Sequence, residues 1–432
     1  MQTQSATSTA PREIAIDSTR LMSELQTLAS FTSIEPSAEG TAVTRIVFTP
    51  DDLRARAWLR TLAEDAGLGV HVDAVGNTFF RWAGSDPSLP AVATGSHIDA
   101  IPHAGMYDGT VGVLGGLEAI RALKRSGARP RRSIELVLLT SEEPTRFGIG
   151  CIGSRLLAGL IDPAYADALH GAQRGSEDET LAQVRTAAGF TGPLSSVRLP
   201  PDHYHGWVEL HIEQGPLLER EHIPLGIVTA IAAPASYRFS IEGIGGHAGA
   251  LLMPDRRDAL CAASEIILSL EKHALSTKAI DTVVTVGTCD VYPGAVNSVP
   301  SRVTLQVDIR DIDPARREGV MQSVRSDIEA LTKRREVRAT EALVNADEPA
   351  TCSSHIVAVI DEVARGYGIN AKHMVSRAYH DSLFMARISP IAMIFIPCRG
   401  GVSHRPDEYA KPADIALGVR VLASALGKLA SE

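Results

Sequence analysis

The chain has 432 residues, of which 44% are hydrophobic and 22% charged, with a formal net charge of −9. This length suits two domains rather than one core, the composition is that of a globular protein, and the acidic balance argues against nucleic acid or an anionic membrane as the main partner. Five cysteines without a CxxC pair exclude a disulfide framework and a thiolate zinc site and point to reduced thiols in the cytoplasm; the first residues lack a signal-type apolar core, and no run approaches the ~18 apolar residues of a membrane span.

Residues 1–17, rich in Ser, Thr and Gln, are expected to form a disordered tail. Helical spacing follows at 18–32 and 50–66, the latter with Asp51 and Asp52 where a helix dipole favours acids. Short strands GVHVDAV and NTFFRWAG turn at Gly76-Asn77. The stretch AVATGSHIDAIPHAGMYDG begins as an apolar strand, delivers His97 and Asp99 at its end and reaches Asp108 through a turn. A Gly-rich helix (TVGVLGGLEAIRALKRSG) and the strand SIELVLLTSEE complete a βαβ crossover. His97 and the Glu142–Glu143 pair then lie at carboxyl ends of strands, where open α/β sheets place their sites.

Residues 150–200 read as a helix and a polar, irregular insertion, and GWVELHIE is a further strand ending in His211. From about Ile231 the order becomes βαββαβ, the ferredoxin-like split, to about residue 346. Helix 353–367, strand 391–396 and helix 411–430 return to the first pattern. The expected architecture is therefore α/β: a mixed-sheet catalytic domain with helices on both faces (18–230 and 347–432) and an inserted ferredoxin-like domain (231–346). Hinges are expected near 229–233 and 345–350.

A His-x-Asp triplet followed by a second Asp meets the needs of a metal site. Neutral imidazole ligates, a carboxylate behind it sets its tautomer, and a further carboxylate can bridge two cations. Adjacent Glu142 and Glu143 repel unless cations neutralise them, and one can ligate while the other carries a proton. Each of these residues alone also reads as an ordinary loop or turn residue. Together His97, Asp108, Glu143, His211 and His404 supply three imidazoles and two carboxylates at one predicted sheet edge. That donor set suits two divalent cations, Zn²⁺ or Mn²⁺. In the inserted domain, Arg310 either pairs with Asp308 or Asp311 or binds a substrate carboxylate through its fork. His247 and Asn297 suit a reacting carbonyl or its oxyanion. His103 has no partner motif and is read as a loop residue.

The motifs GSHIDA, YDGTVGV, SEEPTRFG, ELHIEQGP, GGHAGA, PGAVNSVP, VDIRD and GGVSHRPDE, in this order, resemble the dinuclear metal amidohydrolases related to aminoacylase and the zinc carboxypeptidases. N-carbamoyl-L-amino-acid hydrolase, β-ureidopropionase and allantoate amidohydrolase belong to that family. The variants EEPTRFGIGCIGSRLLAG, GHAGALLMPDRRDA and SRAYHDSLFMARISP are most similar to the allantoate amidohydrolase (allantoate deiminase) type. Tyr379 stands before His380 where carbamoylases carry Gly, which narrows any pocket there.

The resemblance implies two divalent ions per subunit, one held by His97 and His211, the other by Glu143 and His404, with Asp108 between them. It implies that Asp99 orients His97 and that Glu142 is the general base and acid. It assigns His247, Asn297 and Arg310, with Gln214 and His380, to substrate, His247 serving the neighbouring subunit. It also implies a homodimer through the inserted lid domains and a small ureido carboxylate as substrate, allantoate giving ureidoglycine, ammonia and CO₂. An N-carbamoyl-amino-acid or ureidopropionate hydrolase is the first alternative, a non-catalytic metal-stabilised binding protein a second and a peptidase a third.

Overall fold

The computed structural model describes residues 14–35, 37–172 and 175–432. Residues 1–13 of the expected tail lie outside them. Residues 14–17 depart from the expectation. Ile14 is buried, and the Asp17 amide donates to Glu118 Oε1 at 2.9 Å while its carboxylate caps the helix Ser18–Ala29. The chain divides into two compact units. One comprises the chain up to Thr229 with Cys352–Met374 and His380–Glu432, the other Ala230–Thr351 with Val375–Tyr379.

The principal strands, named in chain order, are β1 (Gly69–Val72), β2 (Thr78–Trp82), β3 (Ala91–Ser96), β4 (Ile134–Leu138), β5 (Tyr204–Ile212), β6 (Leu225–Ile231), β7 (Ala233–Glu242), β8 (Val283–Tyr292), β9 (Arg302–Asp311), β10 (Arg338–Ala346) and β11 (Ile391–Ile396). The first unit is built on a mixed sheet of order β6-β11-β5-β3-β4-β2-β1. Strands β11, β5, β3 and β4 run parallel, and β6, β2 and β1 pair antiparallel at the two sides. Every residue of β3, β4 and β11 is buried. Burial on both faces is why these strands read as unbroken apolar runs instead of alternating ones. The helix Thr110–Arg125 links β3 to β4 and packs on β3, β4 and β5. Because the four parallel strands share a direction, their carboxyl ends open on one edge.

Two local expectations are revised. The stretch Ala100–Ala104, read as loop, is a strand paired with Val43–Arg45, and it carries His103, whose amide donates to Thr44 Oγ1 at 2.9 Å. The insertion after residue 150 is more regular than its polarity suggests, since Thr180 and Gln183 form a capping box that starts the helix Leu181–Ala187. The stretch 229–233, expected as a hinge, lies almost wholly in β6 and β7, and the boundary between the two units, Thr229 to Ala230, falls within it.

The second unit is a four-stranded antiparallel sheet of order β8-β9-β7-β10 with the helices Ala259–Ser276 and Pro314–Arg335. Alternate residues of β7 and β9 (Tyr237, Phe239, Ile241; Val303, Leu305, Val307, Ile309) form its core with Ile266, Leu270, Met321 and Val324 of the helices, as period-two burial requires. Sealing Phe239 away from water is worth about 1.5–3 kcal/mol. The first helix, expected from the apolar spacing over PDRRDALCAASEIILSLEKHA, begins only at Ala259, because Asp258 accepts from the amides of Leu260 (2.8 Å) and Cys261 (3.1 Å). Among the described residues no helix is long and apolar enough to cross a membrane.

Candidate metal centre

The parallel edge of the first unit gathers the side chains. His97 follows β3, Glu142 and Glu143 follow β4, His211 is the penultimate residue of β5, and His404 lies on the loop after β11. Asp108 stands at their centre. Its Oδ1 lies 3.2 Å from His211 Nε2 and 3.6 Å from His97 Nε2. Its Oδ2 lies 3.3 Å from His404 Nε2, which is also 3.3 Å from Glu143 Oε1. Two groups able to hold a cation result, His97–Asp108–His211 and Asp108–Glu143–His404, and they share Asp108. His404 is the exposed member; the others are buried.

The ring orientations fit a metal. His97 Nδ1 lies 3.0 Å from the Asp99 carbonyl oxygen, and His211 Nδ1 lies 2.9 Å from that of Ile212. A carbonyl can only accept, so each Nδ1 carries the hydrogen and each Nε2 lone pair is left for a ligand. Consistent with this, Gly109 N donates to His211 Nε2 at 3.1 Å. Gly109 has φ +65, and a Cβ there would stand 2.4 Å from His97 Nε2, so only glycine leaves the imidazole room. Ser141, Gln214 and His404 also have positive φ, a strained backbone that gathers where function demands a particular side-chain direction.

The electrostatics call for positive charge. Burial opposes ionisation of Asp108, but the imidazoles of His211, His404 and His97 around it hold it well below the usual carboxylate range. Burial also opposes a charge on His97, yet Glu142 and Asp108 hold its imidazole well above its ordinary value. Hydrogen bonds to Asp108 and Glu143 push His404 up to about 11. Burial, with Glu143 and Asp381 nearby, raises Glu142 well above the usual range. Carboxylates that draw imidazoles towards protonation are a site that cations would neutralise.

Glu142 Oε2 lies 3.7 Å from His97 Nε2, and Cys151 Sγ lies 3.7 Å from Glu142 Oε1. Asp99 was expected to orient His97 by its carboxylate. That carboxylate is 3.7 Å from Nδ1 and instead accepts from the amides of Glu142 (3.3 Å) and Glu143 (3.0 Å), so the nearer contact to His97 is the Asp99 main chain. Gln214 Nε2 donates to Asp108 Oδ2 at 2.6 Å. The His380 ring packs edge-on against His211 at 4.5 Å. Glu209 joins these two rings in a third acidic group, but its carboxylate already accepts from Ser96 Oγ (2.7 Å) and Ser382 Oγ (2.5 Å).

His247, Asn297 and Arg310 belong to the second unit. Its short ladder pairs His247 with Ser298, and Ala248 N donates to the Asn297 carbonyl at 2.9 Å, so the two loops are tied together. Gly249 N donates to His247 Nδ1 at 3.2 Å, which leaves Nε2–H as the free donor of that exposed ring. Arg310 Nε donates to Asp308 at 2.7 Å, the pairing foreseen as one of its alternatives. Tyr379 Oη donates to Asp347 Oδ2 at 3.4 Å. Residues that the sequence reading left without a role are Ser403 and Glu408, although both stand in the motif GGVSHRPDE.

The profile of peptidase family M20/M25/M40 matches residues 67–428. The chain belongs to this family. It is 50% identical to ureidoglycolate hydrolase of Arabidopsis thaliana over 96% of its length and 87% of the relative. It is 37% identical to N-carbamoyl-L-amino acid amidohydrolase of Geobacillus stearothermophilus, over 90% and 93%, and 34% identical to allantoate amidohydrolase of Bacillus subtilis strain 168, over 91% and 94%. A crystal structure of AtUAH in complex with (S)-hydroxyglycine superposes with a TM-score of 0.87 at 48% identity, covering 97% of this chain and 99% of that one. The chain is accordingly a hydrolase acting on C–N bonds, in a family that uses divalent metal ions, and its residues include two groups able to hold them.

Proposed function

We propose that the protein hydrolyses the ureido group of a small ureido carboxylate, with ureidoglycolate as the preferred substrate. The observation that carries this reading is the 50% identity, along nearly the whole chain, to a relative named for that substrate. The subfamily motifs point to allantoate, and the 34% relative keeps it as the second substrate. Both carry a carboxylate and a ureido group, so one set of groups serves either.

His97 and His211 would hold one cation and Glu143 and His404 the other, with Asp108 shared. Cations bound there supply Lewis-acid polarisation of the scissile carbonyl and an acidified water. Glu142 takes the proton from the attacking water and returns it to the departing nitrogen. The new C–O bond forms at the ureido carbon and its bond to the substrate nitrogen breaks. Ureidoglycolate thereby becomes hydroxyglycine and carbamate, and the carbamate decays to ammonia and CO₂. The second unit, read as a ferredoxin-like lid and dimerisation domain, would contribute the Nε2–H of His247 to the oxyanion, Asn297 with it, and the fork of Arg310 to the carboxylate, and Gln214 and His380 of the first unit would add contacts to substrate. In this reading the enzyme works as a cytoplasmic homodimer with His247 serving the partner's site.

The test is ammonia release by protein reconstituted with Zn²⁺ or Mn²⁺, measured against ureidoglycolate, allantoate, an N-carbamoyl-L-amino acid and a dipeptide. The expected order of kcat/KM is ureidoglycolate, allantoate, then the others. A carbamoyl amino acid turned over fastest would replace the reading with that of a carbamoylase.

A further inference from the structure

We propose that Glu408 is a positioning residue that ties the Asp108 loop to the His404 loop and thereby sets the metal affinity of the site. The inference rests on the metal-hydrolase reading above. Glu408 follows His404 by four residues, and its amide donates to the Arg405 carbonyl at 3.1 Å, closing a turn beside His404. Its side chain is buried. Oε1 accepts from the amides of Tyr107 (2.8 Å) and Asp108 (3.1 Å), some 300 residues away in the chain. Oε2 lies 2.8 Å from Ser403 Oγ, and the same hydroxyl lies 2.7 Å from Asp108 Oδ2.

One buried carboxyl group therefore holds the main chain at Asp108, and through Ser403 it also reaches the Asp108 side chain. Asp108 is the oxygen donor that both cation groups share, so a shift there disturbs both. Burying a carboxyl group costs several kcal/mol unless its hydrogen bonds are made, and these contacts meet that cost. The opposing loop is shaped to admit Glu408, since a Cβ on Gly105 would stand 2.3 Å from Glu408 Cβ. Glu408 is not a member of either cation group. It acts by fixing residues that are, and outer partners of this kind are worth about 10–100-fold in metal affinity.

The hydrogen count makes the proposal specific. Ser403 has one hydroxyl hydrogen to share between two carboxylates. A carboxamide at 408 would donate to Ser403 with its NH₂ and accept the two amides with its oxygen, so glutamine fits the position. Aspartate falls one methylene short, and alanine leaves two buried amides without an acceptor.

Calorimetric titration of the metal-free full chain with Zn²⁺ and with Mn²⁺ tests this, comparing the wild type with Glu408→Gln, Glu408→Asp, Glu408→Ala and Ser403→Ala. Thermal unfolding of each metal-free variant serves as the folding control. The expected result is affinity within about 3-fold of wild type for Gln and about 10–100-fold weaker for Asp and Ala. Ser403→Ala, which deletes one hydroxyl, is expected to weaken binding about 10-fold with an unchanged metal-free Tm, and it keeps the test sound if Glu408→Ala does not fold. Wild-type affinity in Glu408→Asp and Ser403→Ala, or a Gln variant as weak as Ala, would overturn the proposal alone. A wild-type chain that binds neither metal would overturn the metal-hydrolase reading itself.

Discussion

In the first unit His97, Glu143, His211 and His404 leave four parallel strands around Asp108, all but His404 are buried, and the rings of His97 and His211 are set by main-chain carbonyls. In the second unit His247 ends a two-residue ladder and Asn297 lies on the loop beside it, both exposed, and Arg310 is engaged by the neighbouring Asp308. The contrast separates two jobs. A cation centre needs donors held to a few tenths of an ångström, which buried regular structure supplies. Groups that receive and release a substrate need freedom to move, which exposed loops supply at low local stability. The proposed chemistry can be broken separately on each side of that contrast.

The largest effect is expected at Glu142. Glu142→Gln should lower kcat about 10²–10⁴-fold while metal content, measured by elemental analysis, stays at the wild-type level. Metal lost together with activity would make Glu142 a ligand rather than the proton carrier. His247→Ala comes next, with kcat down about 10²–10³-fold and KM little changed, because an oxyanion donor acts mainly in the transition state. A rise in KM alone would make His247 a binding group.

At Arg310 the expected effect is smaller and falls on the other constant. Arg310→Lys should raise KM for a carboxylate substrate about tenfold, since a single ammonium cannot reproduce the bidentate fork. Its partner sharpens the point. Asp308 accepts from Nε at 2.7 Å and faces Nη2 at 3.4 Å, so Asp308→Asn loosens the grip on the guanidinium and should shift KM without touching metal content. Steady-state kinetics of both variants beside their metal content check this. No change in KM for either would place the substrate carboxylate elsewhere.

The same contrast explains what could be read from the sequence. His97, the Glu142–Glu143 pair and His211 follow buried apolar strands, and a parallel sheet brings strand ends together whatever lies between them in sequence, while Asp108 is marked by the glycines that flank it. Their joint appearance was therefore legible. Glu408 was not, because its partners are amides at 107 and 108, and a main-chain amide leaves no mark in composition. The hold of the Asp99 carboxylate on the amides of Glu142 and Glu143 was equally hidden. Strand β6 was missed because its Gly and Thr interrupt the apolar run, and it is stabilised by pairing with β11. The helix after residue 258 was placed too early, since spacing marks an apolar face while the cap at Asp258 marks the start.

The smallest expected effect concerns what holds the second unit together away from its exposed loops. Asp311, at the end of β9, is buried. Its carboxylate accepts from Thr282 Oγ1 at 2.6 Å, Arg316 Nε at 2.8 Å and the Asp313 amide at 2.9 Å. Burial works against its charge, but the hydrogen bonds from Arg316 and Thr282 prevail and hold it below the usual carboxylate value. A carboxylate depressed in the folded state contributes stability that is present above its unfolded pKa of about 4 and is lost as pH falls through the lower folded value. Asp311→Asn should therefore cost about 1–3 kcal/mol at neutral pH, and urea unfolding should show the gap to wild type closing as the pH drops below about 4. Metal affinity should not move. A gap that persists unchanged in acid would show that the loss comes from shape rather than from the charge. Lost metal affinity would show that the cation centre depends on the order of this unit, and the two jobs would no longer be separable.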